Sequence, residues 1–151
     1  MGMRWVKAMA GAALAGALLC TPASAQVPDP FARALAQALS RTDQFVAQQG
    51  YSRAAGPFAG GLAQGEARRV PITLRAGQEY RIVGVCDDRC RDIDLRVFNT
   101  NGIVIGEDVA RDALPIVDMR PPVTGQHFVE VQMPGCAASD VCYYAFNVYA
   151  R

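Results

Sequence analysis

Four cysteines are the residues whose type and spacing best suit a chemical role, and they fall into two close pairs, Cys86 with Cys90 and Cys136 with Cys142. Each pair flanks a short, turn-rich stretch at the end of a predicted strand. In an exported protein of this size cysteines normally form disulfides, so we expect one bridge within each pair. The rival interpretation is a four-thiolate zinc site, which typically has cysteines two residues apart. The spacing therefore favours disulfides over zinc.

Aspartates are densest around the first cysteine pair. Calcium binds where several carboxylate oxygens converge, and the candidate ligands here are Asp87, Asp88, Asp92, Asp94, Asp108 and Asp112. Their spacing lacks the central glycine and the final glutamate of an EF-hand loop. Arg89, Arg91 and Arg96 lie among these acids and would offset the negative charge that a cation needs. Two interpretations stay open: a calcium site, or ordinary ion pairs and turn capping.

Histidine-based catalysis has one candidate, His127, which is the single histidine of the sequence. It alternates with Val129, Val131 and Met133, and this pattern places it on the apolar face of a predicted strand, as a core or rim residue. Ser139 lies between the two late cysteines without the glycines of a nucleophile elbow. A small secreted hydrolase that uses His127 with a nearby acid or Ser139 is therefore the weaker alternative to a non-catalytic protein.

Residues 1–25 have the pattern of a bacterial secretory signal peptide. A basic start precedes an apolar run over residues 8–20, and Ala23-Ser24-Ala25 is a small-residue cleavage site. The apolar run is too short to span a bilayer. Cys20 follows two leucines rather than a small residue, so we expect cleavage near Ala25 instead of lipidation. The expected product is periplasmic or secreted.

Composition and charge exclude several classes of partner. The chain is 51% hydrophobic and 19% charged, with a net charge of +1. Without residues 1–25 it has 126 residues, 13 arginines and 14 carboxylates, and hence a net charge of −1. This balance provides no steering towards nucleic acid or an anionic membrane surface. No further apolar stretch is long enough to span a membrane. We expect one globular domain with one core.

The segment 26–50 is predicted to be an amphipathic helix. Asp29 and Pro30 suit its start, and Gly50 suits its end. One stripe recurs at three- and four-residue intervals, and it consists of Phe31, Leu35, Ala38, Leu39, Thr42, Phe45 and Val46. We expect this stripe to cover part of the same domain; the alternative is a partner or self-association through residues 29–50. Residues 51–65, rich in glycine and alanine, are predicted to be a loop or linker.

From residue 66 to residue 151 the apolar period changes to two, which is typical of an all-β sandwich. Alternating runs occupy 70–74, 80–86, 93–97, 103–105, 127–133 and 142–148, and a short strand is predicted at 115–119. Pro71 indicates an edge strand, because proline cannot donate a ladder hydrogen bond. Asn101-Gly102 is a strong hairpin signal. The predicted fold is therefore mainly β, with one helix before the sandwich.

The landmarks of residues 66–151 resemble the bacterial pre-peptidase C-terminal domain. They are Tyr80-Arg81-Ile82-Val83-Gly84, Cys86-Asp87, Cys90, Asp92-Ile93-Asp94-Leu95, the turn at Gly102, Asp112 to Pro115, and Thr124-Gly125 to Val131. The resemblance implies a jelly-roll-like antiparallel β-sandwich that serves secreted enzymes as an accessory module, with relatives that bind collagen or calcium. Only a helix precedes the module in this sequence, so we expect a free-standing exported copy rather than a protease appendage.

These patterns together predict an exported, non-catalytic binding or accessory module of the bacterial envelope. Its expected ligand is an envelope or extracellular protein, a glycan or a calcium-assisted contact. We expect the contact surface at the loop end that holds residues 86–94 and 108–112. Tyr143 and Tyr149 are expected to add exposed aromatic rings, because they alternate opposite the apolar face of the last strand. A structural envelope protein that self-associates is a further alternative.

Overall fold

The computed structural model describes residues 26–151, so the predicted signal peptide and Cys20 lie outside the described residues. One helix comes first, α1 (Asp29–Ala47). Eight strands follow: β1 (Ser52–Leu62), β2 (Ala67–Leu74), β3 (Tyr80–Cys86), β4 (Cys90–Phe98), β5 (Val104–Asp108), β6 (Ile116–Met119), β7 (Gly125–Cys136) and β8 (Cys142–Ala150). No helix within residues 26–151 is both long and apolar enough to cross a membrane.

The eight strands form two antiparallel four-stranded sheets. The covered sheet, named for the helix on its outer face, has the order β1-β8-β3-β6, and the open sheet has the order β2-β7-β4-β5. Every recorded pairing is antiparallel. This is the strand order of a jelly roll, in which the chain alternates between two sheets as Greek keys. The prediction of a mainly β, jelly-roll-like sandwich after one helix is therefore confirmed.

The main core lies between the two sheets. Alternate residues of each strand point inward, as the period of two requires. The inward residues include Ile82 and Phe146 from the covered sheet and Leu95 and Val129 from the open sheet, all fully buried. His127 belongs to the same set at 3% exposure. Its predicted core position is confirmed.

A second apolar layer joins α1 to the outer face of the covered sheet. Leu35 and Leu39 pack against Val85 and Ala145. Farther along, Val46 packs in a cluster with residues of β3 and β8. The apolar stripe of the helix thus covers its own domain, as expected. Phe45 of the same stripe is 53% exposed, and self-association through residues 29–50 stays a prediction.

The ends of α1 follow simple local rules with one difference from the prediction. Gly50 has φ +83° and ends the helix in the left-handed region that favours glycine. The helix starts one residue earlier than predicted. Pro28, not Asp29, is the N-cap and makes no side-chain hydrogen bond there, and Asp29 lies in the first turn. A carboxylate in the first turn still interacts favourably with the positive end of the helix dipole.

The prediction of a loop or linker over residues 51–65 is wrong for most of that range. Ser52–Leu62 forms β1, which pairs with β8 at the edge of the covered sheet. Its small residues are needed for packing: a Cβ on Gly60 would lie 2.9 Å from the hydroxyl of Tyr144. An edge strand also accommodates Pro57. The sandwich therefore begins at residue 52 rather than 66.

Two other predictions about strand edges and turns are confirmed. Pro71 lies on β2, an edge strand of the open sheet. The β4–β5 hairpin turns at Asn99, whose side-chain Oδ1 accepts backbone hydrogen bonds from Asn101 and Ile103 at 3.0 and 2.9 Å. Gly102 supplies the positive φ of that turn, +76°.

Candidate functional site

The two disulfides lie side by side at one end of the sandwich. Cys86 is bonded to Cys90, and Cys136 is bonded to Cys142, which is the pairing that the spacing favoured. Cys90 and Cys136 are register partners on the neighbouring strands β4 and β7. We call the two disulfide-closed loops, residues 86–90 and 136–142, the disulfide platform.

Hydrogen bonds join the two loops of the platform to each other and to the start of β8. The amide of Asp87 donates to the carbonyl of Tyr143 at 2.9 Å, and the amide of Ala137 donates to the carbonyl of Arg89 at 2.9 Å. In the opposite direction, the amide of Tyr143 donates to Asp87 Oδ2 at 2.8 Å. Arg89 also lies 3.7 Å from the carboxylate of Asp140. Each loop therefore holds the other in place.

Asp87 is the internal anchor of this arrangement and not an open metal ligand. Its carboxylate accepts the backbone amide of Arg89 at 2.9 Å and the guanidinium of Arg89 at 2.8 Å. Burial alone raises the pKa of Asp87, but the hydrogen bonds from Arg89 and from the amide of Tyr143 outweigh it and hold the pKa below its usual value. The ionised carboxylate is thus saturated by donors from both loops.

Aromatic rings connect the platform to the first turn of α1. The guanidinium of Arg89 lies 4.2 Å from the ring centre of Phe31 and 5.6 Å from that of Tyr143. The centres of these two rings are 4.8 Å apart. Contacts of this kind favour a cation held over aromatic faces. Arg89 therefore has its side chain fixed on both sides while part of it stays open to solvent.

The six carboxylates proposed as calcium ligands do not converge on one point in residues 26–151, although Asp92, Asp94 and Asp108 lie near enough for their charges to repel one another. Asp108 accepts the backbone amides of Ala110 and Ile116, at 3.1 and 2.8 Å, and Asp112 accepts the amide of Leu114 at 2.9 Å. Asp88 is exposed on the platform. Within residues 26–151 no three His, Cys, Asp or Glu side chains converge as a metal site requires. Turn capping and ion pairing account for the contacts of this group.

Asp92 and Asp94 lie on the outer face of the open sheet. Burial, followed by the neighbouring charge of Asp92, raises the pKa of Asp94 against the opposing effect of Arg96. The guanidinium of Arg96 lies 3.8 Å from Asp94 and donates to Gln132 at 2.8 Å. Because Arg96 is shared among several acceptors, it only partly neutralises the negative charge of Asp94. The ion-pair interpretation fits this face.

Tyr149 is buried, and the prediction that it is exposed is wrong. It is 1% exposed because α1 covers the outward face of β8. Its hydroxyl donates to the carboxylate of Asp43 in the helix at 2.7 Å and accepts a hydrogen bond from the side-chain amide of Asn147 at 3.1 Å. Burial raises the pKa of Tyr149 to about 12. Tyr143, the other predicted aromatic, is half-buried at the platform.

The hydrolase alternative that pairs His127 with Ser139 lacks its geometry, and the one that pairs His127 with a nearby acid stays a prediction. His127 is buried near the start of β7, and its Nδ1 lies 3.0 Å from the carbonyl oxygen of Gly125. Ser139 lies beyond the far end of the same strand, in the platform. The intervening extended strand is about 30 Å long, at roughly 3.3 Å per residue. Histidine and serine therefore cannot act on one substrate.

Sequence patterns missed the polar network beneath α1. Asp43, Asn147 and Tyr149 meet there, and Arg53 of β1 forms an ion pair with Asp43. The position of Asp43 beside the apolar stripe could have indicated this network. A carboxylate at the edge of a buried helix face needs hydrogen-bond donors from the sheet on which the helix packs. Two of the donors, Asn147 and Tyr149, lie more than a hundred residues away in β8, so spacing along the chain does not reveal them.

Comparison with known proteins finds similarity among solved structures. No family model matches the chain, and no curated protein matches it. Among solved structures, the Aeromonas hydrophila protein PliG, described as a periplasmic lysozyme inhibitor of g-type lysozyme, is similar at 14% sequence identity. The TM-score is 0.49, and the alignment covers 64% of this chain and 85% of that one.

Proposed function

We propose that this protein is an exported binding module that contacts a protein partner through the disulfide platform. The observation that carries the proposal is that the two disulfide-closed loops are bonded to each other. Cys90 and Cys136 are register partners, and hydrogen bonds of Asp87 join the first loop to the residue that follows the second. A surface whose shape is already set before binding loses less conformational entropy when a partner arrives. Rigid loops on a β-sandwich are a common basis for recognition.

The chemistry of the platform suits a protein surface. It presents Asp88 and Asp140 beside Arg89, and Arg91 follows directly after the first disulfide. A partner that presents charges of both signs complements such a mixed surface and is oriented by it. Arginine and tyrosine are also enriched among the residues that dominate protein interfaces. A glycan partner is the alternative that the experiment below separates.

Two further observations support export and an accessory role. Disulfides persist in oxidising compartments such as the periplasm and the cell exterior, and both pairs of cysteines of residues 26–151 are bonded. Membership of the pre-peptidase C-terminal family stays a prediction. Its support is the jelly-roll strand order, which is the fold that the resemblance implied.

The experiment uses charge reversal on and off the platform. Arg91→Glu reverses an exposed charge beside the first disulfide, and Arg75→Glu reverses an exposed charge at the opposite end of the sandwich. The oxidised protein is immobilised, and proteins captured from an envelope extract are identified by mass spectrometry. We expect one protein that the wild type and Arg75→Glu both retain and that Arg91→Glu loses.

Two outcomes overturn the proposal. One is a captured protein that Arg91→Glu retains as well as Arg75→Glu does, since the platform would then not be the contact surface. The other is capture of no protein together with specific binding on a glycan array. Equal thermal midpoints of the three proteins exclude misfolding as the cause of a loss.

A further inference from the structure

An apolar groove of about 290 Å³ lies beside α1 on the outer face of the covered sheet. Val83 and Val85 of β3 form its floor. Phe45 of α1 and Leu114, in the segment before β6, stand on opposite walls and are 53% and 51% exposed. These are large apolar side chains held at a surface where solvent would normally meet polar ones.

The groove exists because one helix cannot cover a sheet of four strands. A helix is about 10 Å across, and neighbouring strands are about 4.8 Å apart, so a single helix covers two to three of them. Here α1 packs over β1, β8 and β3. Beyond β3 the helix leaves an apolar groove bordered by Ile116 of β6, while Val83 and Val85 at its base are themselves only 2% and 4% exposed.

Among the described residues, Arg41 is the one charged residue that lines the groove. It is exposed and has no carboxylate within ion-pair distance among residues 26–151. Seven of the thirteen arginines in residues 26–151 form ion pairs, as Arg53 does with Asp43. An occupant that complements this groove therefore has an apolar body and one negative charge.

We propose that the groove binds a fatty acid, with the alkyl chain over Val83 and Val85 and the carboxylate at Arg41. An extended peptide would need hydrogen-bond partners for its backbone, whereas a helical peptide satisfies its own and is one of the outcomes of the test below. The backbone of the floor is already used, because β3 pairs with β6 on one side and with β8 on the other. An alkyl chain needs no such partner. The volume of about 290 Å³ is near the lower end of ligand pockets, roughly 300–1,000 Å³, and suits one short alkyl chain.

The test is calorimetric titration of the whole protein with sodium hexanoate, octanoate and decanoate, each below its micelle-forming concentration. We expect the Kd to fall with chain length, by up to about fourfold for each methylene removed from water. Decylammonium, with the same chain and the opposite charge, is expected to bind at least tenfold more weakly than decanoate. Vesicles of anionic phospholipid are expected not to bind.

Two charge reversals on one helix supply the matched comparison. Arg41→Glu is expected to weaken decanoate binding at least tenfold and to strengthen decylammonium binding. Arg33→Glu, an exposed and unpaired residue of α1 that does not line the groove, is expected to leave the Kd for decanoate within twofold of the wild type. Thermal midpoints confirm that both variants are folded.

The proposal is overturned if decanoate and decylammonium bind equally, if Arg41→Glu binds decanoate as the wild type does, or if no fatty acid of the series binds. It is also overturned if an acidic apolar peptide binds in the groove while decanoate does not. This test is separate from the test of the disulfide platform, because Arg91→Glu is expected to leave fatty-acid binding unchanged.

Discussion

The carboxylate of Asp87 accepts the backbone amide of Tyr143 at 2.8 Å, across a separation of 56 residues. This bond joins the first disulfide loop to the first residues of β8. The same carboxylate accepts three hydrogen bonds from Arg89 within its own loop, one from the backbone amide and two from the guanidinium. One buried, ionised side chain thus organises both loops of the platform.

Removing this carboxylate is expected to destabilise the protein strongly. Asp87→Ala leaves the amides of Arg89 and Tyr143 without their acceptor, and the expected loss in the free energy of unfolding is about 3 kcal/mol. Asp88→Ala, at the exposed neighbouring position, is expected to change it by less than about 0.5 kcal/mol. Urea unfolding of the oxidised proteins measures both. Equal losses in the two variants would contradict the anchoring role.

Acid is expected to remove the contribution of Asp87. Its pKa is lower in the folded protein than in the unfolded chain. The stabilisation is therefore complete above the usual aspartate pKa and is lost as the pH falls through the lowered folded value. Unfolding free energies of the wild type and Asp87→Asn, measured across this acidic range, should approach each other as the pH falls. A gap that stays constant with pH would be the contrary result.

Asp94→Asn is expected to stabilise the protein at neutral pH by about 0.5–2 kcal/mol, because Asp94 is buried next to Asp92. The raised pKa means that the folded state holds this proton more tightly than the unfolded chain does. As the pH falls from the raised pKa of Asp94 in the folded protein to the ordinary aspartate pKa of the unfolded chain, the wild type gains stability. The stability advantage of Asp94→Asn therefore shrinks over that pH range. Thermal unfolding at several pH values tests this, and a destabilised variant at pH 7 would refute it.

Tyr149→Phe is expected to lower the free energy of unfolding by about 1–2 kcal/mol, because Asp43 and Asn147 lose a shared partner. Tyr143→Phe serves as the comparison for loss of a tyrosine hydroxyl at the half-buried platform position. Since the folded pKa of Tyr149 is about 12, wild-type stability from this group is complete below about 10 and declines as the pH rises towards 12. Absorbance titration that shows every tyrosine ionising near 10 in the folded protein would contradict the burial.

Each disulfide closes a short loop and is expected to stabilise the protein modestly. The double replacement Cys86→Ser with Cys90→Ser is expected to lower the unfolding free energy by about 2 kcal/mol, towards the lower end for disulfides because the loop is short. Denaturant unfolding gives the difference. A non-reducing peptide map should show Cys86 linked to Cys90, and a Cys86–Cys136 linkage would refute the pairing.

Local regularities made several elements predictable. Alternation of apolar residues marks a strand with one buried face wherever it occurs, so β2, β3, β4, β7 and β8 were evident without neighbours. Asn101-Gly102 marked a hairpin because glycine alone readily adopts the positive φ of that turn. The disulfide pairing followed from spacing, since Cys86 and Cys90 end and begin consecutive strands.

Other features depended on what packs against a surface. The sequence of β1 is rich in glycine, as turns are. The segment is extended because it pairs with β8, and the tyrosine rings of β8 occupy the space beside Gly60 and Gly61. The calcium hypothesis grouped aspartates that are close along the chain. Asp87 and Asp94 nevertheless lie at different surfaces with different partners, because the strand that carries Asp94 turns it to the outer face of the open sheet.

The amino-acid sequence by itself determined the mainly β fold, the helix before it and the two cysteine pairs, because periodicity and spacing are properties of neighbouring residues. Tertiary structure alone decided that Tyr149 is buried, that Asp43 and Asn147 meet it, and that a groove stays open beside Arg41. The physical reason is the same in each case. A strand presents two faces, and whether the second meets water or a helix depends on a segment distant in the chain.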